Sequence, residues 1–262
     1  MDRLLLDAPA ERRRFLDRIA LSLIPGHAVA ALAYDKALRE RNRLLRGGNR
    51  DRSWYGALEA QMAEHGARLG ANRRAALAAI AAAARQVAGA SATDAAVDHA
   101  PAPAADDADS FPAAHLALES EAPAAAADLA AALAENRGRD LAAGRSLLGP
   151  HRDDLAAVYG AKDVPARLCS TGEQNALLLS LILANARAVA EGFGAPPILI
   201  LDEIAAHLDA HRRAALFERV LALGAQAFMT GTDPALFDAL GDRAERLALT
   251  ETGGLSQIAR AS

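Results

Sequence analysis

Four aliphatic residues run straight into two adjacent carboxylates at Ile198-Leu199-Ile200-Leu201-Asp202-Glu203. A buried strand that ends in acids delivers them to the carboxyl edge of a sheet, where α/β folds bind their ligands. For phosphoryl transfer the first acid is suited to hold Mg2+, directly or through water, and the second to polarise an attacking water. The plain alternative is a strand that ends in a solvated acidic turn. Upstream lies Ser170-Thr171-Gly172-Glu173-Gln174, leading into an apolar run. Ser170 and Glu173 have the spacing of a capping box, in which each side chain satisfies the other's backbone N–H. The same helix start, with free amides, a hydroxyl and a glycine, is also a phosphate-binding surface, and the two roles are compatible. Downstream, Leu208-Asp209 precedes a helix that Asp209 could simply cap, and Thr230-Gly231-Thr232-Asp233 follows another apolar run, where a turn accounts for it equally well. Gly149-Pro150-His151-Arg152-Asp153-Asp154-Leu155 resembles a kinase catalytic loop only superficially: Val158 stands where that loop needs Asn, and no glycine loop precedes it. A hydrogen-bonded turn or a contact to nucleotide or a partner protomer remain its two readings.

The elements that must position these groups follow from periodicity. Residues 11–86 carry apolar positions at helical spacing, with Phe15, Ile19 and Leu23 four apart, and the breaks Pro25-Gly26 and Gly47-Gly48-Asn49 divide them into three long helices, the third capped by Ser53. Residues 89–110 are rich in Ala, Asp and Pro and read as a flexible connection, with a boundary near 110. Beyond it the expected order is a strand at 111–119, a helix at 124–136, a hairpin of 154–159 and 164–168, the helix after Ser170, a strand at 198–201, a helix at 210–223, a strand at 226–230 and a last strand at 246–250. Pro165 assigns the second hairpin strand to an edge. Helices alternating with wholly apolar strands imply a parallel sheet covered on both faces.

With 262 residues, 52% of them hydrophobic, the chain can bury a real core. Its net charge of −4 is unevenly spread: residues 1–90 hold 16 Lys+Arg against 9 Asp+Glu, and the remainder 13 against 24. The basic part, with Arg12, Arg13, Arg14, Arg39, Arg41 and Arg43, is either a phosphate-binding surface or the wetted faces of helices. The single cysteine, Cys169, excludes an intrachain disulfide and has no His or Cys cluster around it, so a small buried side chain is expected. Residues 175–190 form the longest apolar stretch and are interrupted by Asn185 and Arg187, too polar and short to cross roughly 30 Å of hydrocarbon. The first residues lack an apolar signal-peptide core, and a cytoplasmic location is expected.

Taken together, the order and spacing of these motifs resemble the C-terminal portion of an ABC-type ATPase head of the kind shared with SMC and Rad50-like proteins. Ser170 to Gln174 look like the signature motif, Asp202 and Glu203 like the end of Walker B, and Asp209 like the D-loop acid. Arg12-Arg13-Arg14-Phe15-Leu16-Asp17-Arg18 and the string at His151 are similar to strings typical of the RecF family. The resemblance implies an α/β head, in part, over residues 111–262 and an all-α arm over 1–110. It implies an ATP-dependent dimer in which Ser170, Thr171, Gly172, Glu173 and Gln174 meet the nucleotide of the other protomer. Asp202 then serves Mg2+, Glu203 orients water, Asp209 couples the sites and Thr230 or Thr232 acts as a switch. It further implies DNA binding at single-strand gaps, with Arg12, Arg13, Arg39, Arg41 and Arg43 as candidate contacts, and hand-over to RecO and RecR. One departure matters. A phosphate loop needs G-x-x-x-x-G-K-[ST], and the two lysines, Lys36 and Lys162, follow no such glycines. In the family that loop lies toward the N-terminus, and Met1-Asp2-Arg3-Leu4 looks like family interior sequence, so Met1 is expected to be an internal methionine. The rival expectation is a non-catalytic module that binds DNA or protein without nucleotide.

Overall fold

The computed structural model describes residues 8–48, 51–93, 111–112, 114–160, 162–203, 208–252 and 254–260. Its contacts divide the chain into two units, Met1–Pro196 and Pro197–Ser262. Most of the segment read as a connection, from 94 to 110, lies outside the described residues, as does the Met1 string, while residues 89–93 continue a helix.

The first unit opens with α1 (Pro9–Leu23), α2 (His27–Arg46) and α3 (Arg52–Thr93). Pro9 stands in the first turn of α1, where its missing N–H costs nothing. At the start of α3 the cap is not Ser53: Asp51 Oδ1 accepts the Ser53 amide at 2.8 Å. Three antiparallel strands follow in the order β1 (Ala114–Glu119), β2 (Asp154–Tyr159) and β3 (Val164–Pro165), so Pro165 does sit on an edge. Between β1 and β2 come α4 (Ala126–Glu135) and α5 (Arg137–Ala143), the latter ended by Gly144 in the left-handed region. The long α6 (Thr171–Phe193) completes the unit.

The apolar stripe read from Phe15 and Ile19 is buried, and it packs with Leu77 and Ile80 of α3, Leu155 of β2 and Leu178 and Leu181 of α6. The N-terminal helices and the helix that begins at Ser170 therefore share one core. This is why α6, whose length and mean hydropathy of 1.5 meet the requirement for a membrane span, has half of that window buried inside the protein. A second core joins Tyr34, Met62 and Leu69 to Leu129 and Leu133 of α4.

The second unit contains a parallel pair, β4 (Leu199–Leu201) and β5 (Ala227–Met229), linked through α7 (Ala210–Leu223). Leu199 and Leu201 are buried, together with Leu216, Phe217 and Val220 of α7. The expected covering of both faces is not seen: Ile200 is 76% exposed and Phe228 54% exposed. The last expected strand is half of an antiparallel hairpin, β6 (Leu247–Thr252) with β7 (Leu255–Arg260). The Gly253-Gly254 pair was the available hairpin signal.

Candidate nucleotide-phosphate site

At the start of α6 the capping box forms. The Glu173 amide reaches Ser170 Oγ, while Glu173 Oε2 accepts the Ser170 amide at 2.8 Å and its hydroxyl at 2.9 Å. Lys162, from the turn after β2, pairs with the other oxygen of Glu173. The Lys162 ammonium, then the Ser170 amide and hydroxyl, pull the Glu173 carboxyl down to about 2. A carboxylate at a helix start would repel phosphate, and Lys162 offsets its charge. Ser170, Thr171 and Gly172 are exposed at this end. Gln174 is not: it is buried, and its side-chain N–H donates to the Cys169 carbonyl at 2.9 Å, fixing the turn into the helix. Sequence reasoning missed Lys162, which stands close to Glu173 only because the β2–β3 turn folds back. Cys169 is half-buried rather than fully enclosed.

In the second unit Asp202 and Glu203 emerge from the carboxyl end of β4, both exposed and without a basic partner among the described residues. Thr230, at the equivalent end of β5, ties them: its hydroxyl donates to Asp202 Oδ1 at 2.5 Å and accepts the Glu203 amide at 3.0 Å. Its own amide donates to the Leu201 carbonyl at 3.1 Å. Glu203 is thereby held at φ 52°, a left-handed conformation that non-glycine residues rarely adopt and that recurs where structure serves chemistry. One carboxylate joined by substrate phosphates is the donor set Mg2+ favours, and Asp202 offers such a carboxylate. Asp209 caps α7, its Oδ1 accepting the Arg212 amide at 2.8 Å. Thr232 is exposed, and Gly231 is closely approached, a Cβ there standing 3.0 Å from the Phe237 ring. Ala206 and His207 of the D-loop string lie outside the described residues.

The two strings that narrowed the family turn out to be each other's partners. Arg12 forms a double hydrogen bond with Asp154, at 2.8 and 2.5 Å, and Arg13 donates to the Asp153 carbonyl at 2.8 Å. Arg73 of α3 bridges them, reaching Asp17 at 2.8 Å and Asp153 at 2.9 Å. Burial raises the Asp153 carboxyl above its usual range, against the lowering by Ser120 and Arg73. Because the Ser146 carbonyl can only accept, His151 carries its proton on Nε2, 3.1 Å away, and Nδ1 accepts the Tyr34 hydroxyl at 2.8 Å. Within this unit the His151 string is a hydrogen-bonded turn.

Among the candidate DNA contacts, Arg41 is corrected. It is fully buried and paired with Glu59 at 3.0 Å and Asp140 at 2.6 Å, so its guanidinium reaches no phosphate. Arg12 and Arg13 are committed to the turn at Asp153-Asp154. Arg39 and Arg43 are exposed, each paired along α2 with Asp35 and Glu40.

No protein-family model matches the chain. It is 49% identical to the DNA replication and repair protein RecF of Mesorhizobium japonicum over 258 residues, which are 95% of this chain and 63% of that protein. RecF of Brucella abortus is 49% identical over 94% of the chain, and RecF of Rhizobium rhizogenes 45% identical over 97%. The chain thus spans a little under two thirds of the length of these relatives. In fold it is similar to the recombination mediator protein RecF-ATP of the RecFOR pathway, with a TM-score of 0.75 over 100% of this chain and 65% of that one at 19% identity. A second solved structure, RecF-ATPrS, gives 0.73 over 98% of the chain. The fold is that of part of an ABC-type ATPase head with helices attached, and along nearly all its residues the chain is similar to RecF proteins at 45–49% identity.

Proposed function

We propose that the chain contributes the trans-acting half of a RecF-type ATP site to a cytoplasmic DNA-repair assembly. Paired with a protomer that carries a phosphate loop, the start of α6 would lie over the triphosphate, Ser170 and Gly172 offering hydroxyl and amide to the γ-phosphate. Asp202 and Glu203 would belong to the chain's other half-site, one that needs a phosphate loop beside them: there Asp202 would hold Mg2+, which neutralises charge developing on the phosphates when bound, and Glu203 would orient water. Asp209 would relay between sites. The assembly would bind DNA at single-strand gaps and act with RecO and RecR.

What carries this reading is the grip of Thr230 on Asp202 and Glu203: two exposed carboxylates at a parallel strand end, one in a left-handed backbone. A solvated acidic turn has no need of that strain. The experiment is light scattering of the chain mixed with full-length RecF of a relative. Heterodimer formation is expected with ATP and Mg2+, and neither without ATP nor with a Ser170→Arg variant. Association indifferent to nucleotide would favour the rival, a DNA- or protein-binding module without a working site.

A further inference from the structure

Trp54 stands in the first turn of α3 and is 58% exposed. Beside it lies a cleft of about 300 Å³ between α2 and α3, walled by Leu44, Ala57 and Leu58 with Glu40 and Ser53 at its polar side. That volume is at the small end of what ligand clefts offer. An exposed indole beside an apolar wall is unremarkable alone, but beside the acids Asp51 and Glu40 its end of the unit carries several exposed cations. Glu40, the acid lining the cleft, is paired with Arg43 at 2.5 Å. Arg46, Arg52 and Arg145 are exposed and form no ion pair among the described residues. They belong to one end of the unit: the Arg46 side chain runs past Gly144, 3.6 Å from where a Cβ would stand there, and Arg145 is the next residue.

We infer that this end of the first unit is a binding site for single-stranded nucleic acid, an unpaired base stacking on Trp54 while Arg46, Arg52 and Arg145 meet the flanking phosphates. A flat apolar ring at the same end as three exposed guanidinium groups fits a polyanion whose apolar faces are flat and unpaired. An acidic peptide satisfies the cations and leaves the indole unused; a duplex keeps its bases inside. The inference rests on the nucleic-acid part of the reading above and is independent of ATP.

Trp54 is the only tryptophan, so its fluorescence reports the site directly. Titration of the chain with a single-stranded oligo(dT) should give saturable quenching that weakens with salt, with a log–log slope of about −2 for roughly three phosphates. A duplex of equal length should quench less and poly-glutamate not at all. By anisotropy of labelled oligo(dT), Trp54→Ala should bind roughly tenfold more weakly or worse, Trp54→Tyr should recover most of the loss, and Arg46→Ala should weaken binding and flatten the salt slope. The exposed indole makes loss of fold in Trp54→Ala unexpected, and circular dichroism verifies it. Absent quenching by oligo(dT), equal quenching by poly-glutamate, or unchanged affinity in Trp54→Ala overturns the inference. A chain that binds duplex without any response of Trp54 leaves the DNA reading standing and this site refuted.

Discussion

Arg41 shows how a residue's type misleads when its surroundings are hidden. In sequence it belongs to a basic run, Arg39, Arg41 and Arg43, alternating as if all three faced water. On a helix they do not: the middle one turns inward, where Glu59 and Asp140 meet it across 18 and 99 residues of chain. No local pattern reveals such partners. Arg41→Ala would leave the buried Asp140 without its cation, while Glu59 keeps Arg137, and chemical denaturation should register a loss of about 3–5 kcal/mol. Arg39→Ala, on the wet face, should stay within about 0.5 kcal/mol. His151 gives a pH signature. Burial pushes its pKa down to about 4, only partly opposed by the Ser146 carbonyl. Below the ordinary histidine value near 6.5 the unfolded chain then binds the proton that the folded chain refuses. Stability should therefore fall as pH drops from about 6.5 towards 4, and a His151→Asn variant should show a shallower fall across that window in thermal melts. Ser170 and Glu173, by contrast, were legible as a capping box from spacing alone, while Lys162 was not, because its contact depends on a turn. With Glu173 depressed to about 2, the cap keeps its charge well below neutral pH.

Elements were read well where periodicity is long and poorly where a short strand needs a partner to exist. The helix after Leu208 and the three N-terminal helices follow from apolar spacing and from the breakers at Pro25 and Gly47. The sharing of a core between α1, α3 and α6 was invisible, because the stripes of Phe15 and of Leu178 each look complete without the other. The turn between α5 and β2 ties α1 to α3 through Arg12, Arg13 and Arg73. Gly149 there has φ 135°, and a Cβ on it would collide with the Tyr34 hydroxyl that holds His151. Gly149→Ala should consequently cost about 1–3 kcal/mol for backbone conformation alone, with the clash adding to it. In Tyr34→Phe the clash is relieved, so Gly149→Ala should be milder in that background; additive losses in the double variant, measured by denaturant titration, would show that the two do not meet. The terminal hairpin was half seen, since exposed residues on both faces of β7 leave no alternation of burial to read.

For the molecule, the open face of the β4–β5 pair is an exposed apolar feature of the second unit among the described residues. Ile200 and Phe228 present apolar surface where a parallel sheet is ordinarily covered, and exposed patches of this kind drive association. Ile200→Lys should raise solubility without lowering the melting temperature; a variant as prone to self-association as the unaltered chain would show that this face is not the cause. Ser170 to Gln174, Asp202-Glu203 and Asp209, the strings that resemble a signature, a Walker B end and a D-loop acid, stand in these 262 residues without a G-x-x-x-x-G-K-[ST] string, and the proposed trans-acting role rests on them. ATP turnover by the purified chain, alone and mixed with a full-length RecF, bears on that claim most directly. The chain alone should show none, and the mixture should exceed the full-length protein by an increment that Ser170→Arg removes and Glu203→Gln leaves intact. Turnover by the chain alone that disappears in Glu203→Gln would contradict the account.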